Sequence, residues 1–291
     1  MKVGSAIPRS ASLQKVDGME LPGGLALADG EVSKEIVWRP MDGALELDLA
    51  LIFAAGRSVP EIMMQCTTRS IQSIGSTSVD LKNIERLSVV DLRFVLSALS
   101  TRFGLSLQWI THNCVQCSNP FDFSVDLADL PVTSAGAGYP KSTIDIDGKP
   151  VDVFVPTGAD QLATVGIEDE KTAAQTLFWR CVKRVDGVWK RKKISTKWLT
   201  KIEYAIEKMS PSMPFCVTAD CPECDAANLV PINVTHWLRH LAGGPLDDVH
   251  IIASAYGWSE VNILMLSRQR RKAYVARIGR DKNGPVEELF Q

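Results

Sequence analysis

Two short stretches decide how this chain is read: THNCVQCSNPFDF, residues 111–123, and TADCPECDAANL, residues 218–229. Each holds two cysteines with two residues between them. The first pair sits between short β-type runs, LSLQWITH (residues 105–112) and FDFSV (121–125), and the second is followed by NLVPINV (228–234). Strand, CxxC turn, strand is a knuckle that presents two thiolates on one face, and two knuckles supply the four sulfurs of a tetrahedral zinc site. Cys114, Cys117, Cys221 and Cys224 are therefore the expected ligands of one structural zinc ion per chain. The spacing is unusual, because compact sites separate their pairs by about 15 to 20 residues, whereas 103 residues lie between Cys117 and Cys221. An insertion between two knuckles that meet in space accounts for it. Four reduced cysteines in metal-free turns, or a redox pair, are the alternatives.

The remaining cysteines fit this picture. An odd total of seven argues against a complete disulfide framework. Cys66 and Cys181 stand on apolar faces and read as core, while Cys216 is a fifth, competing thiolate. His112 and His236 lie near the knuckles and read as bystanders, since four thiolates already close the site.

Composition bounds the rest. The 291 residues are 45% apolar and 23% charged, with 32 basic against 34 acidic side chains, which is a globular composition without a global field toward nucleic acid or membrane. The longest apolar runs, such as LDLALIFAAG (47–56), fall short of the roughly 20 residues of a membrane span, and MKVGSAIPRSASLQK has no secretory core. A soluble intracellular protein is expected.

The chain then divides into segments. Residues 1–35, rich in Gly, Ser, Pro and Ala, read as a flexible arm. Residues 36–133 carry the strand of EIVWRPMDG, a helix from ALELDLALIFAAG stopped by Gly56, a helix over 59–75, and a helix over 88–104 with Val90, Phe94, Leu96 and Leu99 inward, leading into the first knuckle. Residues 134–210 are the insertion, a hairpin turning at Asp147-Gly148 and helices near 168–183 and 194–209. Residues 211–235 hold the second knuckle, 236–280 a C-terminal helical segment, and 281–291 a tail. The fold class expected is α+β, mainly helical, with a small split zinc-ribbon-like β unit and an inserted hairpin-plus-helix region.

Catalytic patterns are missing: GxSxG, a P-loop and HExxH do not occur, and the four histidines pair with no nucleophile. His236 and His240 stand at i and i+4 in HWLRH, a spacing that could chelate, but no third ligand follows. Eight Lys or Arg between Lys183 and Lys201, with Trp189 and Trp198 among them, could face nucleic acid or solvent. The tail helices resemble a helix-turn-helix, yet its second element, VNILML, offers base edges almost nothing.

VWRPMDGALE, LSVVDLRFVLSAL, FVPTGADQLATV, FWRCVKR, CPEC and VHIIASAYGWSEVNILMLSRQRRKAYV, in this order over residues 36–279, resemble the T4-type baseplate hub assembly chaperone family of contractile-tailed phages and related injection systems. In that family the CxxC pairs look like a zinc-knuckle framework, and all four cysteines match it. This chain departs in Val115-Gln116, where a CPxC-like pair is common, in its long N-terminal arm, and after Gly279, where RDKNGPVEELFQ resembles residues of a protease recognition site. The resemblance implies a non-enzymatic baseplate hub structural or assembly protein whose partners are other hub proteins, in the host cytoplasm during assembly or in the tail baseplate, with no membrane, nucleic acid or small-molecule substrate. Tyr256, Trp258, Leu264 and Leu266 are the expected packing or contact positions, and Arg268, Arg270 and Arg271 the expected rim charges. A zinc-ribbon nucleic-acid-binding protein is the alternative.

Overall fold

The computed structural model describes residues 18–184, 195–241 and 243–283. Strands β1 (Glu20–Ala26), β2 (Val32–Trp38), β3 (Ile71–Ile74) and β4 (Thr77–Ser78) form an antiparallel sheet in that order. Between β2 and β3 run α1 (Gly43–Ala54) and α2 (Val59–Ser70), and after β4 come α3 (Leu81–Ile84) and α4 (Val89–Arg102). Their starts are written locally: Asp42 accepts from the Leu45 N–H at 3.0 Å, and Ser88 accepts from the Asp91 N–H at 3.0 Å. Every residue of α4 from Val90 to Ser100 is buried, as befits a helix with neighbours all round.

Two expectations are corrected here. The arm does not reach residue 35, because residues 20–35 include β1 and most of β2, with Leu21 and Leu25 buried in the core; residues 1–17 lie outside the described residues. Pro22, Gly23 and Gly24, within the expected arm, form an irregularity within β1, where Gly24 takes φ +100°. The helix expected over 59–75 ends at Ser70, and Ile71–Ile74 pair with β2 instead.

Two hairpins follow from the knuckle regions: β5 (Leu107–Asn113) with β6 (Pro120–Asp126), and, much later, β10 (Cys216–Asp220) with β11 (Ala227–Pro231). A 3₁₀ turn, η1 (Leu127–Asp129), follows β6. Between the hairpins lies the insertion, with β7 (Lys141–Ile146), β8 (Lys149–Phe154), α5 (Gly158–Leu162), α6 (Glu170–Cys181), β9 (Val182–Arg184) and α7 (Thr196–Met209). Asp147 and Gly148 both have positive φ, +52° and +75°, the two-residue turn their sequence announces. The helix expected to reach 183 stops at Cys181, and β9 joins β8 to complete a three-stranded sheet. Most of the basic stretch, Lys190 to Lys193 and Trp189 included, lies outside the described residues. The insertion has its own core of Ile146, Val151, Val153, Val155, Val182, Ile202 and Met209.

The chain leaves and re-enters the body side by side. Thr133 and Ser212 exchange both backbone hydrogen bonds, at 2.9 and 3.0 Å, and the Gly136 N–H donates to the Met209 carbonyl at 3.1 Å. After β11, η2 (His236–Leu241) returns to the main core, where Trp237, Leu238 and Leu241 are buried and Trp237 lies 5.9 Å from Phe103. Residues 236–241 thus belong to the N-terminal core and not to a separate C-terminal segment. Helices α8 (Gly244–Tyr256), α9 (Glu260–Leu264) and α10 (Arg268–Asn283) follow, each giving one buried isoleucine, Ile252, Ile263 and Ile278, to a shared cluster. No helix among the described residues is long and apolar enough to cross a membrane.

Candidate metal centre

The two CxxC turns repeat one hydrogen-bond pattern residue for residue. In the first, the Ser118 N–H donates to the Cys114 carbonyl at 2.9 Å and the Cys114 N–H to Asn119 at 3.0 Å; in the second, Asp225 donates to Cys221 and Cys221 to Ala226, both at 2.9 Å. Ser118 and Asp225 hold the equivalent left-handed position, φ +61° and +55°. This geometry turns backbone amides inward and points both sulfurs of each turn the same way.

The knuckles meet across a shared centre. Cys114 Sγ lies 3.6 Å from Cys224 Sγ and Cys117 Sγ 3.7 Å from Cys221 Sγ, and all four sulfurs lie within 4.8 Å of one another. A disulfide needs about 2.05 Å, so these are free thiols. A tetrahedron with metal–sulfur bonds of about 2.3 Å has sulfur–sulfur edges of about 3.8 Å. The cluster is thus able to hold a metal ion such as zinc. Cys114 and Cys221 are buried against Phe121, Ala219 and Val230, so the centre is backed by apolar surface.

Electrostatics agrees with a cation at this point. The N–H groups of Cys117 and, more weakly, Gln116 aim at the Cys114 sulfur and pull its thiol down to about 6. At Cys224 the Ala226 N–H favours the thiolate, yet desolvation and the three facing sulfurs outweigh it and push that thiol up to about 12. One thiolate is favoured and another opposed within the same group of sulfurs, and a bound cation would favour the ionised form of the sulfurs it touches.

Asn228 on β11 is the residue that the sequence reading overlooked. It is 1% exposed; its Oδ1 accepts from the Val115 N–H of the opposite knuckle at 2.8 Å, while its Nδ2 donates to Ala226 O at 2.7 Å and faces Cys114 Sγ at 3.8 Å. One side chain therefore stitches the two turns together and aims a donor at a ligand sulfur. A buried amide four residues after Cys224 is the sequence trace it leaves.

The other candidates fall elsewhere. Cys66 and Cys181 are buried, and burial pushes each thiol up to about 12. Cys216, at the start of β10, is outside the sulfur group, as are His112, which packs edge-on against Phe121, and His236. His236 and His240 lie on the 3₁₀ helix η2, whose three-residue turn takes them off a common face.

Of the C-terminal contact candidates, Tyr256 and Trp258 are 40% and 38% exposed, Leu264 and Leu266 are half-buried, and Arg270 is exposed. The rim role of Arg271 is corrected, and that of Arg268 in part. Arg271 is fully buried, bound to the equally buried Glu46 of α1 and 3.5 Å from Asp248; Arg268, half-buried, binds the other oxygen of Glu46. A carboxylate sunk in the α1 face needs cations beside it, and Gly43 leaves the room: a Cβ there would lie 2.9 Å from the Leu264 carbonyl and against the Arg271 guanidinium. These residues lock the C-terminal helices onto α1. Compared with family models, curated proteins and solved structures, the chain matches none.

Proposed function

We propose that this chain is a baseplate hub structural or assembly protein of a contractile phage tail or related injection system, working by protein contacts around a structural zinc site. The observation that carries the zinc half is the sulfur tetrad on two matched knuckles, all four sulfurs within 4.8 Å of one another and two of the cross-knuckle pairs at 3.6 and 3.7 Å. Four thiolates close the coordination sphere and leave no open position for a substrate, so the ion's contribution is to hold a split, ribbon-like pair of hairpins together. The hub half rests on the ordered sequence blocks from residue 36 to 279, ending in AYGWSE.

Metal analysis by mass spectrometry on protein purified without added metal tests the first half: one zinc per chain is expected, lost in the Cys221→Ser/Cys224→Ser variant, and a metal-free, folded wild type overturns it. Deleting the gene in the phage or element that encodes it tests the second. Particles lacking assembled tails by electron microscopy are expected, and intact contractile tails refute the assignment.

A further inference from the structure

The β5–β6 hairpin has one face turned to the protein and one turned away. Ile110 stands opposite Phe123, His112 opposite Phe121 and Gln108 opposite Val125; Ile110, Phe121 and Phe123 pack into the cluster around the cysteines and Val125 against the main core. Side chains alternate along a strand and directly opposed residues share a face, so the other face carries Leu107, Trp109 and Thr111, opposite Asp126, Ser124 and Asp122. Leu107 and Trp109 are 57% and 64% exposed, two large apolar side chains at alternate positions of one open face.

Register also sets the charge beside the ring. Asp122 and Asp126 are the diagonal neighbours of Trp109 across the strands, about 7–8 Å to either side. Thr111 Oγ1 donates to Asp122 Oδ1 at 2.7 Å and the Ala128 N–H to Asp126 Oδ1 at 2.9 Å, which leaves the second oxygen of each for a partner. The rest of the knuckle unit has the same sign. Residues 103–140 and 209–238 contain no Lys or Arg, and their six acids are Asp122, Asp126, Asp129, Asp220, Glu223 and Asp225. None of the six has an ion-pair partner among the described residues. Arg93 of α4 touches the unit, but it is buried there, bonded to the Pro214 carbonyl and set 4.2 Å from the centre of the Phe215 ring. Such a surface repels a phosphate backbone. An indole face attracts a cation within about 6 Å of its centre, and carboxylates on either side add charge-assisted hydrogen bonds to it.

We propose that this face docks a Lys- or Arg-rich segment of a partner protein. One of its cations lies over the Trp109 ring between Asp122 and Asp126, and the aliphatic stem of a neighbouring side chain covers Leu107. The inference rests on the reading that the chain acts through protein contacts, and it specifies the partner's chemistry.

The test uses the full chain and a short fluorescein-labelled peptide of Arg, Lys, Gly and Ser, followed by fluorescence anisotropy at two salt concentrations. The same peptide with Glu for its Arg and Lys, and a single-stranded DNA, are the comparison probes. Two variants are compared with wild type, Asp122→Asn/Asp126→Asn and Trp109→Ala. Asparagine keeps the oxygens that accept from Thr111 and Ala128 and removes only the charge, and Trp109 lies outside the core; both variants are checked for native circular dichroism and unchanged metal content. Expected is binding of the basic peptide that weakens with salt and falls about tenfold in each variant. No binding of the basic peptide, equal binding of the acidic one, tighter binding of DNA, or undiminished binding in the variants each overturns the proposal. Binding that appears only after Lys190, Arg191, Lys192 and Lys193 are changed to Ser assigns the face to the chain's own basic stretch and overturns a partner's claim to it. Supplying the Asp122→Asn/Asp126→Asn variant to the gene-deleted particle separates the two levels: normal tails from the variant refute this docking face alone, whereas normal tails without the gene refute the hub reading itself.

Discussion

At the scale of single residues, the cysteines were readable and their supports were not. CxxC spacing is local, so two identical turns announce themselves in the sequence, and the structure brings their sulfurs together. Asn228 is invisible by the same logic, because its role depends on the Val115 amide 113 positions away. If Asn228 orients Cys114 as its hydrogen bonds indicate, Asn228→Ala lowers metal affinity by about 10- to 100-fold in a chelator competition; the cobalt-substituted protein keeps tetrathiolate bands, shifted from wild type. Unchanged affinity and spectrum refute that role. Arg271 was misread for a related reason. The sequence does place Glu46 beside Leu45, Leu49 and Ala50 on the buried face of α1, which is a hint that it needs a partner, but the partner lies 225 residues on. Arg271→Ala leaves the Glu46 carboxylate buried with only Arg268 beside it and should cost about 3–5 kcal/mol in denaturant unfolding; a loss under about 1 kcal/mol marks the pair as peripheral.

At the scale of elements, helices with caps and the Asp-Gly hairpin were legible, and β1 and β9 were not. β9 is three residues directly continuous with α6, too short for any period to show. β1 was hidden by Pro22-Gly23-Gly24, and the reason that motif belongs in a strand is Asp91. The irregularity turns the Gly23 and Gly24 N–H groups away from β2 and onto the Asp91 carboxylate, at 2.7 and 3.3 Å, where Ser88 Oγ at 2.6 Å and Tyr139 Oη at 3.2 Å also donate. One carboxylate at the start of α4 thereby joins the sheet, the helix and the beginning of the insertion. Burial raises its pKa above the ordinary carboxylate range, against the pull of Ser88 and of the Gly23 and Gly24 amides. The folded state then holds that proton more tightly than the unfolded chain, so the stability linked to it is full below about pH 4 and falls as pH rises through the raised value. Asp91→Asn should flatten that part of the stability–pH curve, and Asp91→Ala, which strands several buried donors, should cost about 3 kcal/mol at neutral pH. A steeper slope in Asp91→Asn contradicts the sign.

At the scale of the whole molecule, the sequence sets a long insertion between two knuckles, but the part the metal plays there was not legible in it. Read from the sequence, the ion clamps a loop of 103 residues. In the folded chain, the Thr133–Ser212 pair and the Gly136–Met209 bond already close that loop, and the insertion has its own core. Loop-closure cost grows only with the logarithm of loop length, and the stretches the metal closes beyond the Thr133–Ser212 pair are short. The knuckles organise the two hairpins, while the junction at the insertion's base is held independently.

That junction has a further consequence. Residues that exchange both backbone hydrogen bonds in an antiparallel pair have Cα atoms about 5.5 Å apart, the span closed by a two-residue Asn-Gly turn. Thr133 and Ser212 can therefore be joined through an Asn-Gly pair, and everything from 134 to 211 removed as a cassette. The shortened chain gives up the Tyr139 bonds to Asp91 and Gly24 and the seat of α5 beside α4, where the Gly158 N–H donates to the Leu87 carbonyl at 3.0 Å and Leu162 packs against the main core, but keeps all four cysteines and the locked C-terminal helices. It should fold cooperatively and bind metal with the stoichiometry of the full protein, read by calorimetry and metal analysis. A shortened chain that aggregates or loses its metal would show that the insertion is a structural member of the body and not an exchangeable module, and success would open that position to domains of other origin.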